Sequence, residues 1–291
     1  MTRPLVVGVD ESEPSLLAVD WAAAEAARHG LPLLLVHASL WARHQAAPPV
    51  GDRVRAAERS AAEHVVAVAA ERAARRAPGV EIRTDIVPEE ATDALLRETG
   101  HAFAVVTGTR ARGGPAALLP GGVGQAVAAR AHSPVIVVRG DAAGLAGTHA
   151  RILLGAGEAD TGAEAVRFAF REAEVRRCTL DVVRAWRCAV YESAEFPAPA
   201  EDPARAHERQ AAATLDTLLG DATADHPGVR VRRATVKGAA SRILVHRSAA
   251  ADLVIVGAGE GAGLLGPRPG RVARALLHHA ACPVAVVPRP G

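Results

Sequence analysis

Residues 4–14 read PLVVGVDESEP and residues 151–160 read RILLGAGEAD; in each, a short apolar run ends on glycine and then turns polar. A run of that length, rich in valine, leucine and isoleucine, has the character of a strand buried on both faces of a parallel sheet. After the first run, Ser12 and Pro14 signal a helix start. The helix is expected to turn Leu17, Trp21 and Ala24 inward and to stop at Gly30. A second apolar run, LLLVHAS at 33–39, follows directly. Strand, helix and strand in that order is the repeating piece of a parallel α/β sheet.

The two quoted stretches align Gly8 with Gly155, a step of 147 residues. LLLVHAS (33–39) matches LDVVRAW (180–186) at the same step. FAVVTGTR (103–110) matches LVIVGAGE, and HSPVIVV (132–138) matches ACPVAVV (281–287), both at a step of 149. Four matches in one order identify a tandem duplication. Within the first copy, strand-length runs fall at 4–9, 33–38, 82–87, 103–107 and 135–138. Helices are expected near 52–76, near 89–99 and from Gly121 onward. The second copy repeats this, with Gly220 and Pro227-Gly228 placed after its long helix. The expected fold is α/β: two tandem flavodoxin-like domains, each a five-stranded parallel sheet with helices on both faces. Their spans are 1–139 and 151–291, joined by a glycine-bearing linker at 140–150.

Composition narrows the function. The chain has 291 residues, 49% hydrophobic and 23% charged, which suits two packed domains and excludes a disordered chain. Lysine plus arginine is 34 against 32 for aspartate plus glutamate, with no block of one sign, so no nucleic-acid or membrane surface is expected. Cys178, Cys188 and Cys282 form no CxxC pair and predict a reduced, cytoplasmic protein. Asp10 interrupts the stretch where a signal peptide would need apolar residues, and prolines break the longest uncharged run, 113–129. GxSxG, GxxxxGK[ST] and HExxH are absent, so neither a catalytic residue nor a metal site is nominated.

In an open parallel sheet, ligands bind beyond the carboxyl ends of the strands where strand order reverses. Asp10 follows the first strand, and the glycine-rich GTRARGGPAALLPGGVGQ (108–125) follows the fourth. Glycines let backbone N–H groups approach an anion, and a helix opening at Gly121, Gly122 and Val123 adds its positive end. Arg110 and Arg112 suit phosphate, and the Asp10 carboxylate suits a ribose hydroxyl. A glycine-rich connection without any ligand fits the same residues. Elsewhere, His37 and the pair Trp21 and Trp186 read as core residues, and Cys282 as a small buried thiol. His278-His279 complements a helix end, and Arg230, Arg232 and Arg233 form a solvated edge.

VVGVDESEPSLLAVDWAAAEA, the GTR-x-R-GG loop and HSPVIVV together resemble the universal stress protein family in its tandem, two-domain form, and HHAACPVAVVPR closes the second copy in the same manner. The resemblance implies an adenine-nucleotide α-hydrolase-like fold and a non-catalytic regulator of the stress response. Its ATP-binding members carry G-2x-G-9x-G-S/T after the fourth strand. Here those positions hold Gly108, Ala111, Gly121 and Gly122: the spacing is kept, and two of the four residues differ. The resemblance places ATP, with magnesium, against Asp10, Ala38, Gly108, Thr109, Arg110, Gly121, Gly122 and Val123. The second copy departs further, with Gly157 for Asp10, Glu260 for the second glycine and Arg271 for the Ser/Thr, so it is expected not to bind ATP. The resemblance also implies that the two final strands pair within the chain as a pseudo-dimer, with a further homodimer open. Two rival readings stand beside this one: a slow ATP-hydrolysing enzyme, and a scaffold whose pockets are both vestigial.

Overall fold

The structure, a computed structural model, describes residues 2–39, 52–109, 122–157, 159–187, 202–259, 262–263, 266–267 and 269–289. Contacts divide the chain into two units, one based on Met1–Arg139 and the other on Gly140–Glu260 with Gly270–Arg289.

The first unit runs β1 (Leu5–Gly8), α1 (Glu13–His29), β2 (Leu33–Ala38), α2 (Asp52–Arg76), β3 (Ile82–Val87), α3 (Ala91–Glu98), β4 (Ala104–Gly108), α4 (Val123–Ala128) and β5 (Val135–Val138). All pairings are parallel: Leu5 sits opposite Leu33 and Ala104, Leu33 opposite Ile82, and Val105 opposite Val135. The strand order is therefore 3-2-1-4-5, and the chain reverses direction across the sheet between β1 and β4. Helices α1 and α2 pack together on one face, and α3 and α4 on the other. Covered on both sides, β1, β4 and β5 are apolar almost throughout, with Leu5, Val6, Val7, Val105, Val106, Val135 and Ile136 all buried.

The second unit opens with α5 (Ala142–Ala146) and continues β6 (Arg151–Gly155), α6 (Ala159–Arg176), β7 (Thr179–Trp186), α7 (Pro203–Asp225), β8 (Arg230–Lys237), α8 (Ala240–Arg247) and β9 (Leu253–Gly257). The two-residue strands β10 (Ala262–Gly263) and β11 (Gly266–Pro267) pair antiparallel within the segment 261–269, which is not part of this unit; α9 (Arg271–His279) and β12 (Val284–Val287) complete it. Pairings β8–β7, β7–β6, β6–β9 and β9–β12 repeat the order of the first unit. The duplication extends to single contacts. A methyl group on Gly8 would lie 2.8 Å from Leu95 Cδ1, and one on Gly155 would lie 2.7 Å from Leu244 Cδ1. In both units the first strand ends on a glycine packed against a leucine, Leu95 of α3 in one and Leu244 of α8 in the other.

Local sequence explains where α1 begins and ends. Ser12 caps it, its hydroxyl accepting from the Ser15 amide at 3.3 Å, with Pro14 in the first turn and Gly30 closing the helix in the left-handed conformation. Its buried stripe is Ala18, Val19, Trp21, Ala22, Ala23 and Ala26, whereas Leu17 is 37% exposed. The expected stripe misplaced Leu17 and also Ala24, which is half-buried, because the six alanines of this helix lie around it and leave its apolar phase weakly marked. Helix α1 is joined to α2 through Arg72, which donates to both carboxylate oxygens of Asp20 at 2.8 and 2.6 Å. That hydrogen bond raises the Arg72 pKa against the opposing effect of burial.

Two further expectations need correction. Gly220 lies inside α7 rather than after it, since a single glycine costs a 23-residue helix only ~1 kcal/mol. The stretch 140–150 is not bare linker: α5 lies within it, capped by the Asp141 side chain on the Gly144 amide at 2.9 Å. Just beyond, the Asp252 carboxylate, only 4% exposed, accepts from the amides of His149 at 2.8 Å and Arg151 at 3.2 Å. It thereby fixes the entry into β6.

The outer strands are charged. In β3, Arg83, Thr84 and Asp85 are exposed, and Arg83 pairs with Glu81 at 2.7 Å. In β8, Arg230, Arg232 and Arg233 are exposed, Arg233 reaching Asp216 at 2.7 Å. Replacing Asp252→Ala would strand two amide donors and is expected to destabilise the second unit by about 1–3 kcal/mol. Urea denaturation checks this; an unchanged midpoint would show that the carboxylate holds nothing in place.

Candidate functional site

The strand order reverses between β1 and β4, whose carboxyl ends are where an open parallel sheet holds a ligand, and the first unit brings several of the expected residues there. Val9 continues β1 by one hydrogen bond, its amide donating to the Val36 carbonyl at 2.9 Å, and Asp10 follows with an exposed side chain. Asp10 Oδ1 accepts from the Ser12 amide at 2.9 Å and from the Ser12 hydroxyl. Its own amide donates to the hydroxyl of buried Ser15 at 2.9 Å. Among the described residues Oδ2 has no hydrogen-bond partner, so half of the carboxylate is held and half is presented outward.

Gly108 ends β4 beside this turn. A methyl group there would come within 2.3 Å of the Pro14 carbonyl oxygen and 2.9 Å of the Ser15 nitrogen. No side chain fits, because the first turn of α1 lies directly against the β4 backbone. Thr109 follows half-buried, and Ala38 lies half-buried at the end of β2, on the other flank of β1. Gly122 caps α4 with an extended backbone and open space around it, and Val123 begins that helix. Arg110, Ala111, Arg112 and Gly121 lie outside the described residues. Asp10, Ser15, Gly108 and Thr109 thus meet at one rim, with Ala38 across β1 and Gly122–Val123 above β4.

The corresponding end of the second unit is different chemically. Gly157 stands where Asp10 does, and its carbonyl accepts from the Arg184 guanidinium. Gly259 is left-handed at φ 60°, and the Gly270 amide donates to the Ala258 carbonyl at 2.9 Å. Gly270 caps α9, with Arg271 exposed as its first residue; Glu260 lies outside the described residues. No carboxylate occupies the Asp10 position, and a cation stands where a hydroxyl was expected.

The remaining candidates take structural places. Trp21 is a core residue, as expected. Trp186 is not: it is half-buried at the end of β7, its ring stacked on His207 at 6.4 Å, with the Lys237 ammonium 5.8 Å from its centroid. The β7 and β8 register explains this, placing Trp186 opposite Lys237 at the strand ends. Cys282 is buried, and burial pushes the Cys178 thiol upward, away from nucleophilic reactivity. His278 and His279 are exposed in the last turn of α9. A cavity of about 890 Å³, lined by Arg28, Gly30, Pro32, Arg76, Gly79 and Arg83, opens at the opposite, amino-terminal end of the first sheet. The carboxyl ends of α1 and α2 point there, and arginines near helix carbonyl ends are accounted for by the helix dipole.

The chain matches the model of the universal stress protein family twice, over residues 1–139 and 149–288. A universal stress protein of Mycobacterium tuberculosis is 38% identical over 291 residues, covering 97% of this chain and 95% of that protein. Another from Mycobacterium bovis is 30% identical over 300 residues, covering 97% and 96%. Among solved structures, a universal stress protein from Archaeoglobus fulgidus shares the fold with a TM-score of 0.70 at 15% identity, over 99% of this chain and 96% of that one. The chain belongs to the universal stress protein family and carries two copies of its domain. No helix among the described residues is long and apolar enough to cross a membrane.

The two glycines at the first rim should respond oppositely to substitution. Gly108→Ala drives a methyl group into backbone and is expected to cost about 1–3 kcal/mol. Gly122→Ser meets open space at a helix cap and should gain a few tenths of a kcal/mol, roughly. Thermal denaturation of both variants checks the contrast, and equal shifts would contradict it.

Proposed function

We propose that this protein is a non-catalytic regulator of the stress response, acting in the cytoplasm, whose first unit binds ATP with magnesium while its second does not. One observation carries the reading: Asp10 is held by Ser12 through Oδ1 and keeps Oδ2 outward, beside Gly108 and Thr109 at the strand reversal. A carboxylate so held accepts hydrogen bonds from vicinal hydroxyls without paying to order itself first. Ala38 offers a small surface for a base on the far flank of β1. Gly122 and Val123 offer amides toward phosphate, along with Arg110 and Gly121 from the same loop. In the second unit, Gly157 supplies no carboxylate, and Glu260 in the loop opposes an anion.

Calorimetric titration of the intact chain with magnesium-ATP tests the assignment. Asp10→Ala is expected to weaken binding by about tenfold or more. Arg271→Ala, which changes the corresponding position of the second unit and no residue of the proposed site, should leave affinity within about twofold. Gly122→Ser should strengthen binding several-fold by supplying a hydroxyl donor. Loss of binding with Arg271→Ala, or none with Asp10→Ala, would overturn the reading.

A further inference from the structure

We infer that His37 is a positioning residue: its imidazole sets the turn that presents Asp10. The β1–β2 ladder ends at the pair Gly8 and Val36. The next carbonyl, that of Val9, is taken instead by a side chain, His37 Nδ1 at 2.8 Å. A carbonyl oxygen can only accept, so Nδ1 carries the proton. The other polar atom of the same peptide group, the Asp10 amide, donates to Ser15 Oγ at 2.9 Å. The peptide plane leading into Asp10 is therefore held from both sides by two side chains, one from β2 and one from α1. With that plane fixed, the direction in which Asp10 leaves the sheet is fixed too.

The second unit supplies an independent instance. Arg184 stands one duplication step from His37, at the same place on β7, and its guanidinium donates to the carbonyl of Gly157. The tie between second strand and first turn persists there, one carbonyl further along and with different chemistry. What it holds has changed, for the carboxylate is gone. A histidine serving only to fill the core would not predict that its counterpart binds the same turn.

The ligand in this inference is the one given by the nucleotide reading above; the tie itself belongs to the unliganded chain, so it is tested in both states. In the ligand-free chain, His37→Ala should speed hydrogen exchange across residues 9–15, and His37→Asn, which keeps an N–H near the place of Nδ1, should restore protection. With ligand, His37→Ala should weaken ATP about tenfold and leave 2′,3′-dideoxy-ATP, which lacks the hydroxyls facing Asp10, within about twofold. His37→Asn should recover ATP affinity. Equal weakening of both nucleotides, or unchanged exchange, overturns the inference. If the wild-type chain binds neither nucleotide, the nucleotide reading fails, and the exchange data alone decide whether His37 sets the turn.

Discussion

The parallel pairing of β1 with β4 is the constraint on which the first unit depends. The chain builds outward from β1 through β2 to β3, then must return past β1 to lay down β4 on its other side. Right-handed crossovers send helices to opposite faces on the two legs of that path. In such a sheet the connections on the two sides of the reversal leave toward opposite faces, and the place between them is where a ligand can enter. Everything proposed for the chemistry is set there. Gly108 shows how tight the construction is: β4 backbone and the first turn of α1 touch without a side chain between them. That contact brings Ser15, and through it Asp10, to the edge of β4.

Duplication allows the same constraint to be observed twice with different residues. The strand order, the glycine ending the first strand and the leucine packed over it are common to both units. These are matters of volume, and a core packed at crystal-like density tolerates little change in volume. Apart from Gly108, the rim side chains that reach solvent are less bound by that restriction. Asp10 has become Gly157, His37 has become Arg184, and Gly122 has become Arg271. Packing was kept while the chemistry at the strand ends diverged.

How much of this was legible in the sequence differs by the kind of signal. Strands such as 33–38 and 135–138 are continuous apolar runs, and they fall where the runs do. The start and end of α1 are written in local chemistry, Ser12 with Pro14 and then Gly30. The phase of α1 was not legible, because its six alanines lie on inward and outward faces alike, Ala26 buried and Ala27 exposed. Gly108 could be picked out, but its reason could not: a phosphate cradle and a contact with Pro14 demand the same small residue. His37 was hidden for another cause. It sits in an apolar run and shares its strand face with core residues, and only the three-dimensional end of the β1–β2 ladder shows that its ring substitutes for backbone.

The charges on β3 and β8 bear on the behaviour of the protein in a crowded solution. An exposed strand edge is a template on which another molecule can extend the sheet, and the symmetric route is for a strand to meet its own copy. Arg230 and Arg232 on β8 are of one sign and exposed, so two such strands laid parallel and in register would set like charge against like. At physiological ionic strength screening acts over roughly 8 Å, farther than the roughly 5 Å between paired strands, so the repulsion survives where it is needed. Charge is one of the ways folded proteins keep an exposed strand edge from templating further sheet, and β8 carries that charge at its first residues.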